Sequence, residues 1–161
     1  MIDLKGEHLT ESLTVFHQRR MTERANILLV EDSETDARLV ELAVRDAQWI
    51  SSLDTAVDGE KALEYLEKSQ EGRGLPHLIL LDLNMPRMNG FELLQRLKRE
   101  DSPFRRIPVI VLTTSSATED VRKAYDLHAN SYICKPGDFR TFEKWLATLE
   151  DFWFQVTRLV D

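Results

Sequence analysis

Leu78-Ile79-Leu80-Leu81-Asp82-Leu83-Asn84-Met85-Pro86 is the stretch from which the fold is read. Four apolar residues follow one another without polar interruption, a carboxylate comes next, and Pro86, Asn89 and Gly90 then turn the chain. A short unbroken apolar run bounded by turn residues reads as a strand buried on both faces, the kind found in parallel sheets. Asp82 then stands at the carboxyl edge of such a sheet, where open α/β folds bind their ligands. One acid at that place is equally well explained as a turn or helix cap. The weight comes from what converges with it.

Upstream, Ile27-Leu28-Leu29-Val30 is a second buried-strand run and ends in Glu31-Asp32. Ser33-Glu34-Thr35-Asp36 has the form of a helix-opening capping box, and the helix after it places Leu39, Leu42, Ala43 and Ala47 on one face. Another strand is expected at 53–57, followed by Asp58-Gly59 and a helix marked by Ala62, Leu63 and Leu66. Downstream of Asp82, Phe91, Leu94 and Leu97 give a helix that closes before Pro103. A strand at 107–112 runs into Thr113-Thr114-Ser115-Ser116, and the next helix carries Val121, Ala124 and Tyr125. A short strand at 131–134 ends at Lys135-Pro136, and the last helix starts near Asp138. Strand–helix alternation with short connections calls for an α/β fold with a parallel sheet. Right-handed crossovers make that sheet doubly wound.

Residues 1–24 stand apart. They are mostly polar, with Leu9, Leu13 and Phe16 at i, i+4 and i+7, a spacing compatible with a short amphipathic helix. The expected organisation is therefore an N-terminal extension over 1–24 and one domain over 25–161 that includes an extended last helix. The 161 residues suffice for one ordinary core, and 42% apolar with 30% charged residues is a globular composition. No stretch approaches the roughly 18 apolar residues of a membrane span, and no signal segment opens the chain. Cys134 is the only cysteine, which excludes an internal disulfide and a cysteine zinc site. These features favour the cytoplasm. A net charge of −7 argues against nucleic acid as a partner. His8, His17, His77 and His128 have no ligand-like spacing.

The strand ends carry chemistry: Glu31 and Asp32 after the first, Asp82 after the third, Thr113 after the fourth and Lys135 after the fifth. A parallel sheet lines all its strand ends along one edge, so these side chains can meet. Grouped carboxylates repel one another unless a cation sits among them. Oxygen ligands without histidine or cysteine suit a hard ion, and Mg²⁺ commonly uses one or two carboxylates with phosphate oxygens and water. Lysine and hydroxyl then fit a further anion, and a phosphoryl group satisfies the whole set. Asp82, on the central strand, is the acid placed to form an acyl phosphate.

These motifs resemble the receiver domains of two-component response regulators. The resemblance covers 26–150 and rests on Leu29-Val30-Glu31-Asp32, Leu81-Asp82-Leu83-Asn84-Met85-Pro86 with Gly90, Leu112-Thr113-Thr114, and Lys135-Pro136. It implies a flavodoxin-like five-stranded sheet in the order 2-1-3-4-5, an order the chemotaxis receiver exemplifies. It also implies that Asp82 accepts a phosphoryl group from a histidine kinase. Asp32, Asp82 and the Asn84 carbonyl would bind Mg²⁺, with Glu31 acting through water. Lys135 would pair with the carboxylate and then the phosphate, and Thr113 would hydrogen-bond a phosphate oxygen. Tyr132 matches an aromatic switch that turns inward as Thr113 moves. Asn84 and Ser115 match positions that tune autodephosphorylation. Glu31 replaces a frequent Asp, and Thr114 stands where a smaller residue is common, which narrows access to the site.

In the last helix Phe142, Leu146, Leu149, Trp153 and Val156 trace one face, and Trp145, Phe152 and Leu159 another. One stripe is enough for packing on a core. The second either covers the N-terminal extension or forms a partner surface. Leu-Thr-Thr-Ser and the Glu150-Asp151-Phe152-Trp153 tail resemble single-domain regulators paired with phytochrome-type histidine kinases, which implies a homodimer through the last strand and last helices. Two other readings compete with a phosphoacceptor that is not itself an enzyme. One is a receiver-like adaptor indifferent to phosphate; the other is a Mg²⁺-dependent phosphotransfer or phosphatase enzyme, which lacks a second positioned acid and a cap over a substrate.

Overall fold

The structure, a computed structural model, describes residues 24–47, 50–72, 74–150, 152 and 153. Its elements alternate along the chain: β1 (Ala25–Val30), α1 (Glu34–Val44), β2 (Ile50–Ala56), α2 (Gly59–Glu71), β3 (Leu78–Leu81), α3 (Gly90–Leu97), β4 (Val109–Thr113), α4 (Thr118–Asp126), β5 (Ser131–Cys134) and α5 (Phe139–Glu150). The strands form one parallel sheet in the order β2-β1-β3-β4-β5. Val30 pairs with Leu81, and Thr113 with Cys134, so the carboxyl ends of β1 and β3 lie level, as do those of β4 and β5.

Successive strand side chains point to opposite faces, and the core divides accordingly. Ile27, Leu29, Leu78, Leu80, Ile110 and Leu112 pack with α1 and α5 through Ala37, Val40, Val44, Phe142 and Leu146. Leu28, Val30, Ile79, Leu81, Val109 and Val111 pack with α2, α3 and α4 through Ala62, Leu66, Leu93, Leu94, Leu97 and Ala124. Both faces of β3 are thereby covered, which is why its sequence is apolar throughout.

Four local expectations are corrected. The inward face of α1 is Ala37, Val40 and Val44, and Leu39 and Leu42 are exposed. Small and β-branched residues sit against the sheet there, and Ala43 and Ala47 pack only at its margin. β2 begins at Ile50, earlier than expected, because an edge strand beside β1 alone tolerates Ser51, Ser52 and Asp54; Ser52 Oγ donates to Asn26 Oδ1 at 3.1 Å. β4 begins at Val109 rather than Ile107, since Pro108 has no N–H to give a ladder. Tyr125 lies on the solvent side of α4. In α5 and the residues just beyond it, Phe142 and Leu146 are buried, Leu149 and Trp153 pack beside them, and Phe139, Trp145 and Phe152 are exposed. The expectations for the extension at 1–23 and for the helix over 154–160 lie outside the described residues. Among the described residues no helix is long and apolar enough to cross a membrane.

Candidate functional site

The sheet's carboxyl edge is held together from several directions. The Asp82 N–H donates to the Val30 carbonyl at 3.0 Å, so the acid leaves β3 directly beside the end of β1. The chain then returns tightly: the Gly90 N–H donates to the Leu83 carbonyl at 3.0 Å, and Asn89 opens α3 with a reciprocal capping box to Glu92. Gly90 stands where no side chain fits, since a Cβ would lie 2.3 Å from the Asp82 carbonyl oxygen. The loop between is clipped to the β2–α2 turn. Asp58, wholly buried, caps α2 through the Lys61 N–H at 2.8 Å and accepts Nε of Arg87 at 2.5 Å, and Gly59 N–H donates to the Met88 carbonyl at 3.1 Å. Arg87 takes a left-handed backbone (φ 62°), uncommon for a side chain of its size. Burial pushes the Asp58 carboxyl up, but the Lys61 N–H and the Arg87 guanidinium outweigh it and hold Asp58 below the usual range.

Carboxylate oxygens of Glu31, Asp32 and Asp82 lie within 4.8 Å of one another. Glu31 and Asp82 are buried and Asp32 is exposed, so the group opens to solvent on one side. Burial raises the Asp82 carboxyl above its ordinary range against the pull of Lys135, the Thr113 hydroxyl and the Leu83 and Asn84 N–H groups. The Leu83 N–H meets Oδ1 of Asp82 at 2.9 Å. Glu31 is raised as well, by burial first and further by the charge of Asp82. A cation among grouped acids favours their charged form. An all-oxygen set of carboxylates suits a hard divalent ion.

Lys135 follows β5, and its Nζ donates to Glu31 Oε2 at 2.5 Å and to Asp36 Oδ2 at 2.7 Å. Burial pulls the ammonium down, but those two hydrogen bonds more than offset it and hold the group above its usual range. Lys135 acts on the Asp82 carboxylate through its charge, the foremost influence that opposes burial there. Asp82 attracts the lysine, yet among the described residues its bonded acids are Glu31 and Asp36. Asp36 is the site residue that sequence reasoning passed over. Its spacing from Ser33 reads as a cap, although that spacing also puts it on the first turn above the β1 end.

Thr113 is fully buried at the end of β4. Beyond it the loop is pinned at Ser115, whose carbonyl accepts both the Tyr132 hydroxyl at 3.0 Å and the Cys134 thiol at 3.2 Å. Ser115 Oγ donates to Asp120 at 2.6 Å. The Tyr132 ring is half-buried and packs on the α2–α4 side of the core. Of the histidines, His77 accepts the Asn26 N–H at 3.0 Å, a role in packing.

Comparison with known proteins adds an independent line. The response regulator receiver domain family matches residues 27–147. The probable methanogenesis regulatory protein FilR2 of Methanothrix harundinacea is 39% identical over 79% of this chain and 82% of its own length. Response regulator Rcp1 of Synechocystis is 38% identical over 83% of this chain and 91% of its own. The Mn²⁺-bound form of Rcp1 superposes with a TM-score of 0.75, at 37% identity over 85% of this chain and 99% of that one. The phosphorylated cyanobacterial phytochrome response regulator RcpA superposes with a TM-score of 0.79, at 36% identity over 86% and 99%. Receiver domains bind divalent metal, and the acidic group at the ends of β1 and β3 fits that property. Fold, strand order and sequence agree that this chain belongs to the response regulator receiver domain family of two-component signalling.

Proposed function

We propose that Asp82 takes up a phosphoryl group from a histidine kinase in a Mg²⁺-dependent reaction. Receiver domains are in general signalling proteins rather than enzymes, so the covalent state of Asp82 is itself the message. The observation that carries this reading is the meeting of Glu31, Asp32 and Asp82 around one point, with Thr113 and Lys135 on the adjoining strand ends. In the step, an Asp82 oxygen attacks phosphorus. The O–P bond forms as the N–P bond to the kinase imidazole breaks, and that electron pair stays on the imidazole nitrogen.

Bound Mg²⁺ supplies charge neutralisation for the phosphoryl oxygens. Asp32, Asp82 and the Asn84 carbonyl would hold it directly. Glu31 would act through water, because its two oxygens already accept the Ser33 N–H at 3.1 Å and Lys135. The Thr113 hydroxyl and the Lys135 ammonium take phosphoryl oxygens. Tyr132 relays the change through the Ser115 carbonyl, while Asn84 and Ser115 set how fast water removes the group by autodephosphorylation.

RcpA is by its description a phytochrome response regulator, and a phytochrome-type kinase is the donor we assign. Exposed Phe139, Trp145 and Phe152 support output by homodimerisation through β5 and the last helix. We place the reaction in the cytoplasm, where the Cys134 thiol stays reduced.

The test is incubation with Mg²⁺ and acetyl phosphate, followed by mass spectrometry. An acid-stable, base-labile phosphoryl adduct is expected in the wild type and not in Asp82→Asn, and chelation of the metal abolishes it. No wild-type adduct, or an adduct that survives in Asp82→Asn, refutes the assignment. Light scattering with and without beryllofluoride checks the dimer, which a monomer under both conditions refutes.

A further inference from the structure

The turn that opens α1 departs from a full capping box in one arm, and that arm reaches the site. Ser33 Oγ accepts the Asp36 N–H at 3.2 Å, as a cap requires. In a complete box the Asp36 carboxylate would accept the Ser33 N–H in return. Here the Ser33 N–H goes instead to Glu31 Oε1, and the Asp36 carboxylate is given to Lys135. The lysine side chain is 10% exposed and lies between Asp36 and Glu31.

We propose that Asp36 is a positioning residue that holds the Lys135 ammonium away from Asp82 and competes for it with the phosphoryl group. The inference rests on Asp82 being the phosphoacceptor. The ammonium has three N–H donors, two of them given to Glu31 and Asp36, so a phosphoryl oxygen on Asp82 draws the group towards itself against the pull of both acids. Glu31 is the harder of the two to displace: it is buried, and its other oxygen is bound to the Ser33 N–H. Asp36 is 35% exposed on its side chain and can turn into water. Asp36 is therefore the acid that yields as Lys135 turns towards the phosphoryl group, and the strength of that bond sets how readily the site accepts its anion. The carboxylate of Asp36 also adds negative charge beside an incoming dianion. Bond and charge act in the same direction.

The test is the affinity of the full chain for beryllofluoride in the presence of Mg²⁺, followed by fluorine NMR. Asp36→Asn is expected to bind the mimic about fivefold more tightly, a gain of about 1 kcal/mol. Asp36→Glu, which keeps an acid within reach of the lysine, returns towards the wild-type value. Glu34→Gln removes an exposed charge from the same turn, with no bond to Lys135, and stays within about twofold of wild type because exposed charges couple weakly. Unchanged or weaker binding in Asp36→Asn overturns the proposal, as does an equal gain in Glu34→Gln, which would reduce the effect to bulk charge. A wild type that takes up no beryllofluoride overturns the phosphoacceptor reading and this inference together.

Discussion

Replacing Gly90 with alanine drives a methyl group into the backbone of the strand end that bears Asp82. The new Cβ would lie 2.3 Å from the Asp82 carbonyl oxygen, 2.7 Å from Leu83 Cα and 3.0 Å from the Asp82 carbonyl carbon. Carbon atoms rest at about 3.5–4.0 Å from one another, so α3 must withdraw from β3 by about 1 Å. All three neighbours are main chain, and no rotamer change can make room. The Gly90 N–H bond to the Leu83 carbonyl, 3.0 Å long, opposes the withdrawal. Overpacking costs about 1–3 kcal/mol, and a purely backbone clash belongs near the upper figure. At about 2–4 °C per kcal/mol for a domain of this size, the melting temperature falls by about 6–12 °C. Divalent-metal affinity falls with it, since the same shift moves Asp82 and the Asn84 carbonyl. Gly72 is the control, because a Cβ there meets nothing within 4 Å. Scanning calorimetry of Gly72→Ala is expected to match wild type. If Gly90→Ala melts within about 2 °C of Gly72→Ala, the close approach of α3 to β3 is not the constraint described here.

Arg87→Ala leaves the buried Asp58 carboxylate without its guanidinium. The expected loss is about 1–2 kcal/mol in urea unfolding at neutral pH, less than for a fully buried pair because Arg87 is half exposed; unchanged stability refutes the clip. Lys98 donates to the Ile107 and Arg105 carbonyls at 2.7 and 3.1 Å, and burial, with the charge of Arg105, pulls its ammonium down to about 8. The folded state thus sheds this proton first, the unfolded chain binds more protons between about pH 8 and 10.4, and stability from this group rises with pH across that window. Lys98→Met is expected to flatten that rise in urea midpoints taken at about pH 7.5 and 10. Equal slopes in the two proteins refute it.

The strand ends were legible because buried parallel strands leave a simple trace: an apolar run that stops at a charged or hydroxyl residue. Glu31, Asp32, Asp82, Thr113 and Lys135 each follow or close such a run, and the sheet order brings them to one edge. Helix α1 was harder. Leu39 and Leu42 suggested the inward face by their size, whereas Ala37, Val40 and Val44 fill the narrow space over the sheet. Pairings between loops left less trace. Arg87 and Asp58 are 29 positions apart, and Lys135 and Asp36 are 99 apart. A cap and a counter-ion call for the same residue type, so composition alone does not separate them, and Asp36 serves as the counter-ion.

The bond between Glu31 and Lys135 spans 104 positions. Glu31, Asp32 and Asp82 are synthesised well before the lysine that neutralises them, and β5 is the last strand of the sheet to be made. Contacts this distant in sequence form late, after the loop between them has closed. An emerging chain therefore presents crowded acids without their ammonium. The complete cluster exists only once β5 has docked, so a kinase that recognises it works on finished domains and passes over nascent or partly folded ones.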